Sequence, residues 1–145
     1  MIKILCVGKI KENYLREMIM DYEKRISKYH KIEIIEVKDE DNLEKEKEHL
    51  LPFISPRDYV ITLEILGSVM SSEDLAKKID ELFLNYSTIT FVIGSSLGLH
   101  EDVKKRANLA LSFSKFTFPH GLFRGILLEQ IYRSFKILNN ESYHK

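Results

Sequence analysis

The chain has 145 residues, with 22 Lys and Arg balanced by 22 Asp and Glu, 44% hydrophobic and 30% charged residues, six Gly and three Pro. This is the length of one domain, residues 1–145, with a real core, and the composition excludes disorder and low complexity. Zero net charge argues against a generic nucleic-acid coat protein, and no apolar run approaches the roughly 20 residues that span a bilayer.

The start, MIKILCVGKIKENY, places a short apolar run before its lysines. A signal peptide has the reverse order, so Ile2–Val7 is expected to be a buried strand closed by Gly8. The single cysteine, Cys6, rules out an internal disulfide, suits a reducing cytoplasm and is read as a small buried side chain. Tyr14, Leu15, Met18, Ile19, Tyr22 and Ile26 recur at helical spacing, which predicts a helix over about 12–29. Ile32–Val37 reads as a second strand. The acidic DEDNLEKEKE that follows is expected to carry a short, exposed helix before Pro52.

A third strand is expected over Asp58–Glu64, with Ile65 to Ser68 as a loop. Ser71 to Asp74 reads as an N-cap with acids in the first helical turn. Leu75, Ile79, Leu82 and Phe83 make that helix amphipathic. Ile89–Ile93 is a fourth buried strand leading into Gly94-Ser95-Ser96-Leu97-Gly98. A short helix over about 101–108, a fifth strand near 109–113 and a long helix over about 122–138 complete the pattern. Strands alternating with helices, and apolar runs in the strands, predict an α/β domain with a mainly parallel sheet and helices on both faces. Ligands in such sheets sit beyond the carboxyl ends of the strands, where the loops 63–68, 94–99 and 113–121 converge.

The Gly94–Gly98 loop is neither a GxGxxG nor a P-loop, so phosphoryl transfer has no support. It serves equally as a tight turn or as a close approach to a ligand. The histidines at 30, 49, 100, 120 and 144 form no HxxxH or HExxH cluster, which argues against a metal site. No GxSxG elbow is present. Phe113, Phe116 and Phe118 fit either a core stripe or a stacking platform. Glu129 and Arg133, four apart, fit a surface ion pair. From Ser112 to Lys145 there are five Lys and Arg against two Glu, which permits a basic face on a neutral chain.

Taken in order, these features carry more than any one of them. The run TFVIGSSLGLHEDVKKRANLALSFSKFTFPHGLFRGILLEQIYRSFKILNNESYHK resembles the C-terminal half of the ribosomal RNA large-subunit methyltransferase H family, of the SPOUT class. It repeats that family's glycine loop, Leu-Ser-like strand, Thr-Phe-Pro-His turn, Leu-x-Glu-Gln-x-Tyr-Arg helix and Tyr-His-Lys end. MIKILCVGKIKENY and TLEILGSVMSSEDLA extend the likeness over the whole chain, more loosely.

The resemblance implies a C-terminal trefoil knot, a homodimer, S-adenosylmethionine as methyl donor, and methylation at N3 of a pseudouridine in 23S rRNA on the ribosome. By position, Leu63, Gly94, Phe113, Ser114, Lys115, Phe116, Thr117 and Phe118 would hold the donor. His120, Arg133, Tyr143 and His144 would carry the RNA side, with the tail completing the pocket of a second subunit. The alternatives are the same chemistry on tRNA and a non-catalytic RNA- or nucleotide-binding module. Four positions depart from the family pattern: Ser68 for a basic residue, Ser95 for Gly, Gly121 for Gln and Ser142 for Pro.

Overall fold

A computed structural model describes residues 1–144. In chain order the elements are β1 (Ile2–Val7), α1 (Asn13–Ser27), β2 (Ile32–Val37), α2 (Leu43–Leu50), a single 3-10 turn (Leu51–Phe53), β3 (Tyr59–Val69), α3 (Ser72–Leu82), β4 (Ile89–Ile93), α4 (Glu101–Arg106), β5 (Leu109–Ser112) and α5 (His120–Leu138). The strands form one sheet in the order β2-β1-β4-β3-β5. Every neighbouring pair is parallel. Ile2 pairs with both Ile32 and Ile89, so β1 is an interior strand beside the central β4. Parallel strands need crossover connections, and here helices supply them on both faces.

The alternation of the pleat divides β1 between two cores. Ile2, Ile4 and Cys6 face one core, closed by α1, α3 and α5; Leu5 and Val7 face the other, under α2 and α4. The larger core receives Leu127, Leu128 and Ile131 of α5, all fully buried, and α5 packs against both α1 and α3. Each such side chain contributes roughly 1.5–3 kcal/mol by leaving water. Cys6 is buried as expected, and burial pushes its thiol up to about 12.

Two expectations are corrected. Residues 65–68 are strand, not loop: β3 continues to Val69 because β5 offers it a second edge, pairing Leu111 with Leu63 and again with Ser68 across an irregular stretch. That pairing is long-range and leaves no local trace. The acidic α2 is not simply exposed, since Glu46 and Leu50 on one side of it are buried. The start of α3 behaves as its residues predict. The Ser71 side chain accepts from Asp74 N at 3.0 Å, and Asp74 accepts from Ser71 N.

The sheet's amino-terminal edge is held by Asp58, only 6% exposed. Its Oδ2 accepts from Lys3 Nζ, Ser55 N and Thr90 Oγ1, each at 3.0 Å. Removing that carboxylate leaves the buried Thr90 hydroxyl without its acceptor and the Lys3 ammonium, which keeps only the Phe53 carbonyl at 2.7 Å, without its counter-charge. We expect Asp58→Ala to lower unfolding stability by about 3 kcal/mol, measured by urea titration at neutral pH. A loss within experimental error would contradict this account.

Candidate active site

Beyond the carboxyl ends of β4 and β5, and against the middle of β3, lies a cleft of about 380 Å³. Its walls draw on each of the three segments singled out from the sequence, 63–68, 94–99 and 113–121, with Ile93, Lys104, Leu111 and Phe123 beside them. Leu63, Gly94, Phe113, Ser114, Phe116, Thr117 and Phe118 line it; Lys115 does not. The walls are mostly apolar, with a few polar groups such as Glu64, Lys104 and His120. Volume and lining both match what a small-molecule pocket requires. Leu66 and Phe116 stand exposed at its rim.

The floor depends on one tight turn. A Cβ on Gly94 would lie 2.3 Å from the Gly98 carbonyl oxygen, so only glycine fits, and Gly98 itself sits at φ +86°. Ser95 and Gly98 form an isolated bridge, in which the Gly98 N–H donates to Ser95 O at 2.9 Å. The Ser95 hydroxyl, the departure from the family glycine, has a defined task. It donates to Glu46 Oε1 at 2.7 Å and accepts from Leu97 N at 3.2 Å. Glu46 is 2% exposed, so the loop is tied to α2 by a buried hydrogen bond. The Ser68 departure is an exposed residue of β3.

Phe123 of α5 is a wall residue that sequence reasoning missed. Phe118 stacks on it at 5.8 Å and Phe113 meets it edge-on at 5.3 Å. The available signal was spacing, since His120 and Phe123 lie three apart on one helix face. The helix starts two residues earlier than expected, at His120 rather than Leu122, and this brings His120 into the cleft.

Arg133, Tyr143 and His144 form a separate cluster. Arg133 donates from Nε to Glu129 Oε1 at 2.8 Å and contacts His144 Nδ1 from Nη1 at 3.0 Å. Its guanidinium lies 4.8 Å from the centre of the Tyr143 ring, which packs edge-on against Tyr132 at 4.9 Å. His144 Nε2 bonds Glu73 of α3. With Arg133 donating to Nδ1, the ring hydrogen sits on Nε2. Hydrogen bonding to Glu129 raises the Arg133 pKa above its ordinary value. Burial first, then the Glu129 charge and the Tyr22 hydroxyl, pushes the Tyr143 phenol up to about 12, so it is a proton donor at neutral pH. Thirteen helical residues separate Arg133 from His120, roughly 20 Å. One chain therefore gathers His120 with the cleft and leaves the other three apart. Lys145 lies outside the described residues.

Among the described residues, no group of three or more His, Cys, Asp or Glu stands where it could hold a metal ion. Nor is any of their helices long and apolar enough to cross a membrane.

A parallel sheet with helices on both faces, an apolar cleft at the strand ends and the ordered C-terminal segments define a methyltransferase class that sequence comparison identifies. The family model "Predicted SPOUT methyltransferase" matches residues 1–144, and the chain belongs to that family. Two curated relatives carry the provisional name ribosomal RNA large subunit methyltransferase H. The one from Methanococcus maripaludis is 53% identical and the one from Methanococcus vannielii 49% identical, each over 99% of both chains. A methylase-family protein of Haemophilus influenzae shares the fold with a TM-score of 0.58 at 13% identity, over 99% of this chain and 70% of that one. The SpoU methyltransferase AviRb of Streptomyces viridochromogenes does so with a TM-score of 0.53 at 8% identity, over 98% and 62%. These structural likenesses concern the fold alone.

The Tyr143 environment makes a measurable prediction. Its folded pKa lies above the ordinary value of 10.0, so its contribution to stability is complete below pH 10 and is lost as pH rises through about 12. Among the seven tyrosines, Tyr143→Phe should remove a late step from the tyrosinate absorbance titration. It should also flatten the decline of stability between those pH values. An unchanged titration curve would mean the phenol is not shielded.

Proposed function

We propose that this chain methylates N3 of a pseudouridine in 23S rRNA on the ribosome, using S-adenosylmethionine, as a cytoplasmic homodimer whose C-terminal third carries the family's trefoil knot. The observation that supports this most is the cleft at the ends of β4 and β5 and against the middle of β3, with His120 in its wall. The relatives' name points to large-subunit ribosomal RNA, and a structure of AviRb, similar at a TM-score of 0.50, holds S-adenosylmethionine.

Leu63, Gly94 and the 113–118 segment would hold the donor through apolar walls and backbone groups, with Phe123 completing the wall. When bound, the donor supplies a methyl group on a positively charged sulfonium. The other tasks fall to side chains. N3 of the base carries an imide proton that must leave before the nitrogen can attack. His120 is the candidate acceptor within this chain, because the raised pKa of Tyr143 suits that phenol to donate a hydrogen bond instead. Arg133 would stabilise the negative charge developing on the base oxygens. With some 20 Å between these groups in one chain, Arg133, Tyr143 and His144 would act in the pocket of a second copy. Fixing acceptor and donor in line would supply much of the rate.

The deciding experiment incubates the protein with methyl-labelled S-adenosylmethionine and ribosomes lacking the mark. Label should appear at one pseudouridine of 23S rRNA; no label there, or label on free tRNA instead, would refute the assignment. Deleting Tyr143 to Lys145 should abolish transfer while leaving donor affinity and the dimer nearly intact, as read by calorimetry and sedimentation. Normal turnover by the truncated chain would remove the tail from the active site.

A further inference from the structure

The donor cleft holds two charged side chains to which the functional reading gives no task. Among the described residues that line it, Glu64 is the only carboxylate and Lys104 the only ammonium. We propose that this pair binds the amino-acid end of the methyl donor, Glu64 taking its α-ammonium and Lys104 its α-carboxylate. The proposal rests on the reading of the chain as an S-adenosylmethionine-dependent methyltransferase.

The pleat of β3 sorts the cleft into two sides. Val60 faces the core under α2 and α4, whereas Ile61 and Leu63 face the core closed by α1, α3 and α5. Phe113 and Phe123 pack against that same larger core, so the aromatic wall stands on the α5 side. Thr62 and Glu64 alternate to the other side, where Lys104 of α4 approaches Glu64. The donor is divided in the same way, with a flat purine at one end and a zwitterionic amino acid at the other. Aromatic rings take the first by stacking, and opposite charges take the second.

Glu64 and Lys104 are oriented but not used up on each other. The fully buried Thr62 hydroxyl donates to Glu64 Oε2 at 2.6 Å and fixes the carboxylate from behind. Glu64 Oε1 stands 3.8 Å from Lys104 Nζ, and Glu101 Oε1 stands 3.9 Å from the same nitrogen. Both distances exceed a hydrogen bond, so neither carboxylate engages the three donors of the ammonium. Side-chain exposures of 20% for Glu64 and 39% for Lys104 leave both open to a ligand. An ion pair this loose adds little to folding, so exchanging it for the two charges of a ligand costs the fold little.

The presence of both signs selects the zwitterion over the donor's other polar groups. A sulfonium calls for an anion alone, and a ribose diol for an acceptor alone. Neither uses an ammonium set against the carboxylate. An α-amino acid carries both charges on neighbouring groups, and a carboxylate facing an ammonium across a mostly apolar cleft complements it in sign.

Calorimetric titration of the full-length protein and of its Glu64→Gln and Lys104→Gln variants, with three ligands, tests this. S-adenosylmethionine carries the zwitterion and the sulfonium, S-adenosylhomocysteine the zwitterion alone, and methylthioadenosine neither. Both side chains are partly exposed, so the amide replacements keep the shape of the cleft. Each variant should bind the first two ligands about tenfold more weakly, through loss of a charge-assisted hydrogen bond, and the third within about twofold of the unsubstituted protein. Equal losses for all three would overturn the proposal, by placing the pair at the ribose or in the support of the cleft. A loss confined to S-adenosylmethionine in Glu64→Gln would overturn it by assigning that carboxylate to the sulfonium. Unchanged affinities throughout would overturn it as well. All three of these outcomes leave the functional reading standing. If the unsubstituted protein binds neither S-adenosylmethionine nor S-adenosylhomocysteine, that reading fails and the proposal falls with it.

Discussion

The burial of α5 between α1 and α3 is the constraint on which the rest of this molecule depends. Leu127, Leu128 and Ile131 have no exposed surface, and Tyr132 and Phe135 have little. That packing makes a rigid rod of 19 residues, roughly 28 Å long. One end is locked to the carboxyl ends of β1 and β2, because Arg124 reaches Glu36 and the Gly8 carbonyl. The other end carries Arg133 and receives the returning tail. The two halves of the candidate chemistry are thus held at opposite ends of a helix that cannot bend to bring them together.

A rod of this kind turns chain length into an argument about assembly. If His120 and the Arg133–Tyr143–His144 group serve one reaction, two chains must meet, each offering the start of its α5 to the end of the other's. The tail cluster is already ordered for such a task within its own chain. Arg133 is held by Glu129, His144 by Arg133 and Glu73, and Tyr143 by Tyr132 and the guanidinium above it. Ordering these side chains beforehand reduces the entropy lost when they engage a ligand.

The cleft loops follow the same logic of support from behind. Gly94 permits the close turn, and Ser95 ties that turn to a buried carboxylate on a different helix. The serine replaces conformational freedom with a specific tether. Beside it, Gly121 leaves room for Leu15 and Ile10, whose methyl groups would lie 2.7 and 3.0 Å from an added Cβ. Both departures from the family pattern therefore make contacts that the local packing uses.

The sequence by itself determined the alternation of elements, because buried strands and amphipathic helices write their periods into residue order. β1, β2 and β4 match their expected bounds, and the capping residues of α3 announce themselves locally. Two of the segments that converge on the cleft, 94–99 and 113–121, were likewise readable, since a parallel sheet leaves its loops at one edge, whereas 63–66 reaches it from within β3. Only the tertiary structure decided what depended on distant partners. β3 runs on to Val69 because β5 pairs with it; Glu46 is buried because Ser95 meets it; Phe123 is a wall because Phe118 stacks on it and Phe113 meets it edge-on. The separation of His120 from Arg133 along α5 is of the same kind. Helical spacing supplied the length, but only packing between α1 and α3 held the rod straight and fixed what lies at each end.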